Sequence, residues 1–297
     1  MSALKPILLL GPGRGGTTLL YKLLALHRDA AFVSNFDTRA AARVLARPAL
    51  ALSRTSPGLR RWAWFSAEGQ AYLRSRSPLK RLVPAPVEGE ELFGASGVTR
   101  DEYADSGTAE THQALRGTFA AIQNRHRGKV LLLKRTANNR RIPLLHAAFP
   151  ECRTIILWRD GRAVTASLLE VHWWLDHRVW WAGGKTPREM RLNREQSIEF
   201  AATNWVKEVE AIEAGLARAE KRPVMQVHYE KMLARPIETI TSLLEFVGLE
   251  VTEEYLKQLR SLGLRQATER WRASMTAAEI GVIERIGRLQ LHRLSYY

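Results

Sequence analysis

The chain has 297 residues, 45% of them hydrophobic, one cysteine and a formal net charge of +15. This hydrophobic share is too high for a globally disordered chain, and a single cysteine excludes an internal disulfide and a cysteine-ligated zinc site. The positive charge favours an anionic partner: a nucleotide, an acidic glycan, a nucleic acid or an anionic membrane surface. The first predicted strand begins after five residues, and no apolar run approaches a membrane span, which predicts a cytoplasmic protein.

The first predicted element is a short apolar strand over residues 7–10, which runs into a glycine-rich turn and then a helix. This order directs backbone N–H groups and a helix N-terminus at an anion. The spacing from Gly11 to Gly16 fits a P-loop, except that Thr17 replaces the phosphate-binding lysine and Arg14 supplies a positive charge inside the turn. A nucleoside triphosphatase needs that lysine together with magnesium. We therefore expect the loop to bind a single phosphate with one attached group.

Continuous apolar runs alternate with helical patterns along the chain, which predicts buried parallel strands joined by crossover helices. The predicted strands cover residues 7–10, 30–34, 130–133, 154–158 and 223–228. The predicted helices cover residues 17–28, 39–47, 108–126, 142–149, 163–169, 194–220, 237–247, 252–259 and 276–290, with a loop at 269–272. The fold class is α/β, a P-loop-like three-layer domain with a central parallel sheet flanked by helices. Cys152, beside a buried strand, is expected to be a packing residue.

One domain is predicted over residues 1–297, with an insertion at residues 48–107. Five prolines in that segment, beginning with Pro48, predict short helices and irregular stretches. The insertion is interpreted as a lid or acceptor-binding region, and a poorly ordered surface segment is the alternative. A second unusual segment holds four tryptophans between residues 173 and 181, which form either part of the core or a substrate-facing cap.

Charged residues at the ends of predicted parallel strands mark the usual position of a site in such a sheet. Asp37 follows the second predicted strand and is either a catalytic carboxylate or the cap of the next helix. Lys134 ends the third strand, and Arg159 ends the fourth.

Four blocks of the sequence together resemble the sulfotransferases that depend on 3′-phosphoadenosine-5′-phosphosulfate (PAPS), and most closely the branch that contains the tyrosylprotein sulfotransferases. The blocks are residues 13–19, residues 157–167, residues 227–232 with 236 and 246–249, and residues 270–271 with 294–297. The resemblance implies transfer of a sulfuryl group from PAPS to a hydroxyl group, less readily to an amine, of a glycan, lipid or small metabolite. It also implies 3′-phosphoadenosine-5′-phosphate (PAP) as product and no metal requirement.

The resemblance also implies roles for particular residues. The 5′-phosphosulfate would be held by the loop residues Arg14, Gly15, Gly16, Thr17 and Thr18. The 3′-phosphate would be held by Arg159 and Ser167. Tyr229 would lie near the adenine, and Arg270 would close over the nucleotide.

For catalysis, the resemblance implies that Asp37, in place of a family glutamate, takes the proton from the acceptor. Lys134 would stabilise the bridging oxygen and the leaving phosphate, together with Arg14. Histidine serves as the base in other branches, so the rivals for that role are His27, His112, His172 and His177.

Two other function classes stay open at this stage. A P-loop kinase or nucleotidase lacks its lysine at position 17, and a catalytically inactive nucleotide-binding protein would share the same loop. A nucleic-acid binder is disfavoured, because the arginines are scattered and no helix-turn-helix, RNA-recognition or zinc spacing appears. The expected partner is a hydroxyl-bearing acceptor, anionic or carbohydrate in character, and the charge also allows peripheral contact with a membrane.

Overall fold

The computed structural model describes residues 4–38, 43–65, 77–99, 105–264 and 269–297. Its strands are β1 (Pro6–Leu10), β2 (Ala30–Phe32), β3 (Val130–Lys134), β4 (Arg153–Trp158) and β5 (Val224–His228). Within the described ranges these five strands form one parallel sheet in the order β2-β3-β1-β4-β5. The parallel sheet predicted from the apolar runs is therefore confirmed.

Helices connect and flank these strands. In chain order they are α1 (Thr17–Ala25), α2 (Arg43–Thr55), α3 (Pro57–Trp64), α4 (Pro78–Arg81), α5 (Glu90–Gly94), α6 (Ala109–His126), α7 (Ile142–Ala148), α8 (Gly161–Leu169), α9 (His172–Leu175), α10 (Arg194–Arg218), α11 (Tyr229–Ala234), α12 (Pro236–Val247), α13 (Glu253–Ser261), α14 (Arg270–Ser274) and α15 (Ala277–Arg293). Two short 3₁₀ helices cover Thr136–Arg140 and Trp180–Ala182. No helix among these described segments is both long and apolar enough to cross a membrane.

The central strand β1 is buried on both faces, which explains its unbroken apolar sequence. Ile7 and Leu9 belong to the core formed with α1, α12 and α13. Leu8 packs with α6 and α7, and Leu10 packs with α8 and α10. Alternate side chains of one strand thus build the three-layer arrangement that the sequence predicts.

The helix after β4 lies unusually close to the longest helix, α10. A Cβ atom at Gly161 would stand 2.6 Å from the buried indole of Trp205 on α10. Only glycine allows this approach at the start of α8. The contact fixes α8, and with it Ser167, relative to the sheet.

Two expectations about local structure are wrong. Pro48 does not break the helical pattern but lies inside α2. The loop expected over residues 269–272 gives way to α14, because Trp271 is buried against Ala163 and Ala166 of α8 and thereby holds a short helix in place. The helix expected over residues 39–47 falls partly on residues 39–42, which lie outside the described part of the chain.

The described parts of the 48–107 insertion form the short helices α2 to α5 and an extended stretch between α4 and α5. Pro86 in that stretch makes an isolated antiparallel bridge with Ser34, just beyond β2. Cys152 is buried as expected, and burial raises the pKa of its thiol to about 11.

Candidate active site

The P-loop joins β1 to α1 and is shaped to accept an anion. Gly16 precedes α1 with φ of 90°, and Arg14 also adopts a left-handed backbone with φ of 65°. Gly16 has no side chain that could cap the first turn of α1, and that turn contains no acidic residue. The N–H groups at the very start of α1 and the positive end of its dipole can therefore face a negatively charged group.

Arg14 joins the P-loop to the second predicted phosphate-binding segment. Its Nε donates a hydrogen bond to Ser167 Oγ at 3.0 Å. Its carbonyl oxygen accepts a hydrogen bond from Arg159 Nη1 at 2.7 Å. The Arg159 guanidinium lies over the Tyr229 ring, 4.5 Å from its centroid. The fold thus brings together four residues that lie up to 215 positions apart in the sequence.

Tyr229 also packs against the P-loop itself. A Cβ atom at Gly16 would collide with the Tyr229 ring, so glycine is required here by space as well as by the positive φ. Burial raises the pKa of the Tyr229 phenol, which keeps the ring neutral at physiological pH.

A buried polar network fixes the start of the P-loop. Asn139 accepts a hydrogen bond from Gly11 N at 3.2 Å and donates one to Gly11 O at 3.0 Å. Asn139 also donates to Glu208 of α10 at 2.6 Å. Glu208 accepts two more hydrogen bonds, from Trp180 Nε1 at 2.8 Å and from Arg140 Nη1 at 3.4 Å. The tryptophan segment is therefore connected to the P-loop through two side chains.

Lys134 lies at the end of β3, and its carboxylate partner comes from the insertion. Glu88 forms ion pairs with both Lys134 and Arg135. Burial opposes ionisation of Glu88, but the positive charges of Lys134 and Arg135 outweigh it and hold the pKa of the carboxyl below its ordinary value. Glu90 adds ion pairs with Arg135 at 2.8 Å and with the fully buried side chain of Arg141 at 2.6 Å. The insertion thus supplies two counter-charges to the cations at and after the end of β3.

Asp37 is buried, with only 1% of its surface exposed, and faces the C-terminal end of α6. Its carboxylate accepts hydrogen bonds from Ser34 N at 2.9 Å and Ser34 Oγ at 2.5 Å, and it pairs with Arg125 and His126. Burial opposes its ionisation, yet the hydrogen bonds from His126 and Ser34 hold its pKa below the ordinary value. Its role as catalytic base stays a prediction.

Thr17, Thr18 and Arg270, the other predicted site residues, differ in how far they are exposed. Thr17 is buried at the start of α1, and Thr18 is half-buried beside it. Arg270 is exposed at the start of α14, the helix that packs against α8. Their roles toward a nucleotide stay predictions.

The four histidine rivals are dispersed. His27 follows the C-terminal end of α1, and its Nε2 donates a hydrogen bond to Glu250 O at 2.9 Å. His112 lies on α6 and contacts Ser106 O. His172 is exposed on α9, and His177 stacks on Trp174.

The tryptophan segment belongs partly to the core and partly to the surface. Trp174 is buried and Trp173 is 50% exposed. Trp181 packs against Phe200 with the two rings tilted by 41°, and it donates to Asn204 Oδ1 at 3.0 Å. Trp180 donates a hydrogen bond to Glu208. The interpretation as a purely substrate-facing cap is therefore too simple.

The C-terminus packs beside the carboxyl ends of β4 and β5. Tyr296 donates to Glu230 Oε2 at 3.0 Å, and Glu230 Oε1 accepts from Asp160 N at 3.2 Å. Arg162 donates to Tyr296 O at 2.7 Å. These contacts hold the last residues against the segment that carries Arg159.

Comparison with known proteins decides the family. Residues 6–253 match the model of the sulfotransferase family. The chain belongs to the sulfotransferase family. The resemblance seen in the four sequence blocks is confirmed at this level, and this sulfotransferase is an enzyme. Its nearer placement beside the tyrosylprotein sulfotransferases stays a prediction.

Solved sulfotransferase structures share the fold at low identity. Sulfotransferase STF9 from Mycobacterium avium is 16% identical with a TM-score of 0.59, covering 99% of this chain and 77% of that chain. The sulfotransferase domain from the curacin biosynthetic pathway is 14% identical with a TM-score of 0.51, covering 96% and 97%. Sulfotransferase STF1 from Mycobacterium tuberculosis is 16% identical with a TM-score of 0.52, covering 96% and 76%. No curated protein sequence gives a significant match.

Three carboxylates of this sulfotransferase were missed by sequence reasoning. Glu88 lies in the irregular insertion, Glu208 lies within a long helix, and Glu230 follows β5. Of these, only Glu230 had a signal, because it stands in a block that resembles the family. Asn139 had a weaker signal, since it follows a strand end.

Proposed function

We propose that this sulfotransferase transfers the sulfuryl group of PAPS to a hydroxyl group of an acceptor by in-line displacement. The observation that supports this most is the junction at Arg14, which contacts Ser167 through its side chain and Arg159 through its carbonyl oxygen. A ligand with two anionic ends fits this arrangement, because a helix N-terminus and a second cationic segment meet there.

The described residues supply the groups that PAPS would need, namely backbone donors, positive charge and an aromatic ring. The P-loop N–H groups with Thr17 and Thr18 would hold the phosphosulfate, and Arg159 with Ser167 would hold the 3′-phosphate. Tyr229, fixed between Gly16 and Arg159, offers an aromatic surface near the adenine.

Sulfuryl transfer, like phosphoryl transfer, asks the protein mainly for positioning and charge stabilisation. The acceptor oxygen forms a bond to sulfur while the bond from sulfur to the bridging oxygen breaks. The electron pair of that bond stays with the 5′-phosphate of PAP, next to which Lys134 and Arg14 would place positive charge. The acceptor proton must pass to a base.

For the acceptor, we propose a hydroxyl-bearing glycan, lipid or small metabolite, with an amine as the second choice. The net charge of +15 supports an anionic acceptor. Residues 48–107 contribute helices and Glu88 beside Lys134, which supports an acceptor-side role for the insertion within one sulfotransferase domain.

Calorimetry with PAP, ATP and a DNA duplex, each with and without magnesium, tests the proposal. We expect tight, magnesium-independent binding of PAP alone. Arg159→Ala should weaken PAP binding, whereas Arg188→Ala, which removes an exposed arginine paired with Asp176, should not. Preference for ATP with magnesium would instead support a kinase or nucleotidase.

A screen with labelled PAPS then tests turnover and the acceptor. Pools of glycans, lipids and small alcohols, phenols and amines are incubated with the enzyme, and mass spectrometry detects products that have gained a sulfuryl group. PAP binding without any turnover would support a catalytically inactive nucleotide-binding protein.

A further inference from the structure

We propose that Glu88 is the general base of this sulfotransferase and takes the proton from the attacking hydroxyl group. The inference rests on the proposed function and assigns a role to a residue that the sequence motifs leave unassigned. It is carried by the position of Glu88 beside the end of β3 and by the partial exposure of its side chain.

The segment before Glu88 is fixed to the carboxyl end of β2. We call residues 85–88 the strap. Val87 N donates to Val33 O at 2.8 Å, Asn35 N donates to Ala85 O at 3.1 Å, and Ala85 N donates to Asn35 Oδ1 at 2.7 Å. These hydrogen bonds hold the strap at the sheet edge where parallel α/β sheets carry their sites.

The strap places the Glu88 carboxylate beside Lys134. Residue Lys134 is paired in the sheet with Leu9, two positions before the P-loop begins at Gly11, so Glu88 lies on the same edge as the anion site. The Glu88 side chain is 34% exposed, whereas that of Lys134 is 5% exposed. A hydroxyl group can therefore approach Glu88 from solvent, and a proton can leave it by the same route.

Asp37 offers a different environment. One of its carboxylate oxygens accepts two hydrogen bonds from Ser34 and lies near His126, and the other pairs with Arg125. Its near-complete burial leaves little room for an acceptor. These contacts favour a positioning role for Asp37, in which it fixes the turn that follows β2 and so supports the strap.

The proposed step balances without a further reactant. The proton of the acceptor hydroxyl moves to a Glu88 carboxylate oxygen as the acceptor oxygen bonds to sulfur. The bond from sulfur to the bridging oxygen breaks, and PAP leaves with the electron pair beside Lys134. Glu88 then releases the proton to solvent, and its ion pairs with Lys134 and Arg135 re-form.

The test uses PAPS itself, with water as the acceptor and then with an acceptor from the screen. Sulfate release and transfer are measured for the wild type and for Glu88→Gln, together with the Kd for PAP. We expect Glu88→Gln to lower both rates by about a hundredfold or more, the usual scale of general-base catalysis, while its Kd for PAP stays within about threefold. Glu90→Gln is the matched control, because it also removes a partner of Arg135, and it should lose less than about tenfold.

Asp37→Asn separates the two carboxylates. If Asp37→Asn binds PAP and folds like the wild type but loses turnover, while Glu88→Gln keeps it, the proposal is overturned. Full turnover by Glu88→Gln overturns it as well. Failure of the wild type to bind PAP or to cleave PAPS with water and every acceptor would overturn the proposed function itself, a result distinct from either outcome above.

Discussion

Asn139 makes a paired hydrogen bond with the backbone of Gly11, accepting from its N–H and donating to its carbonyl oxygen. The Asn139 side chain thereby makes the two hydrogen bonds that a neighbouring strand would make, at the point where β1 ends and the P-loop begins. Both Gly11 groups are buried, so leaving either of them without a hydrogen-bond partner would cost free energy of folding.

Asn139→Ala should therefore destabilise the P-loop, although it removes only a small side chain. We expect a loss of about 2 kcal/mol in the free energy of unfolding, from two hydrogen bonds, and a Kd for PAP weakened about tenfold or more. Urea unfolding and calorimetry measure the two effects. Asn204→Ala is the control, because Asn204 is a buried partner of Trp181 and lies on the same helix as Glu208. Equal loss of PAP affinity in both variants would contradict this account.

Glu208 should be less tolerant of change than its neighbour Trp180. Three donors converge on the Glu208 carboxylate, so the amide of Glu208→Gln must point an N–H at one of them. We expect Glu208→Gln to cost about 2 kcal/mol of stability and to weaken PAP binding, because Asn139 loses its anchor. Trp180→Phe removes one donor and should leave PAP affinity nearly intact. Chemical unfolding and calorimetry measure stability and PAP affinity. A larger loss of both in Trp180→Phe than in Glu208→Gln would show that the indole, not the carboxylate, holds the network together.

Gly16→Ala should disable the nucleotide site while leaving the remaining fold in place. Position 16 has a positive φ, which alanine rarely adopts, and the new methyl group would collide with the Tyr229 ring, so either the loop or the ring must move. We expect at least tenfold weaker PAP binding and a lower melting temperature. Adding Tyr229→Ala should restore part of the stability without restoring affinity, a coupling that a double-mutant cycle measures. Gly13→Ala, with no neighbour within 4 Å of the new Cβ, should keep the wild-type melting temperature.

Asp37 should contribute stability that depends on pH. Its pKa is lowered in the folded protein, so the stabilisation is present above the ordinary value of 3.8 and is lost as the pH falls through the folded value. At neutral pH, Asp37→Asn should cost on the order of 3 kcal/mol, since it removes one member of a buried ion pair. Urea unfolding between about pH 7 and pH 3 should show a shallower acid loss in the variant than in the wild type.

The control for that series is Asp176→Asn, which removes an exposed carboxylate paired with Arg188. It should change stability little at any pH, because exposed ion pairs are screened by solvent. A parallel pH profile for wild type and Asp37→Asn would exclude Asp37 as a source of the acid sensitivity.

The sheet was predictable because strands that are buried on both faces have continuous apolar sequences, such as residues 130–133. The P-loop was predictable because its glycine spacing is local. The contacts that Arg14 makes with Arg159 and Ser167 were expected only from the resemblance, since they join residues 145 and 153 positions apart in the sequence.

Other features depend on contacts that leave no local pattern. The strap pairs with Val33 and Asn35, some fifty residues earlier, so nothing around Glu88 marks it as part of a site. The helix at Arg270–Ser274 is too short to be stable alone and exists because Trp271 is buried against α8. The position of Asp37 was visible as a strand-end carboxylate, but Arg125 and His126, its partners, lie on a distant helix.

The strap has a consequence for attempts to re-engineer this enzyme. A chimera that exchanges residues 48–107 for the corresponding segment of another sulfotransferase also removes Glu88 and Glu90. Lys134, Arg135 and the enclosed Arg141 would then face one another without these counter-charges. A graft meant to change the acceptor must therefore carry carboxylates at the positions of Glu88 and Glu90. Otherwise the cations of the recipient must be replaced as well.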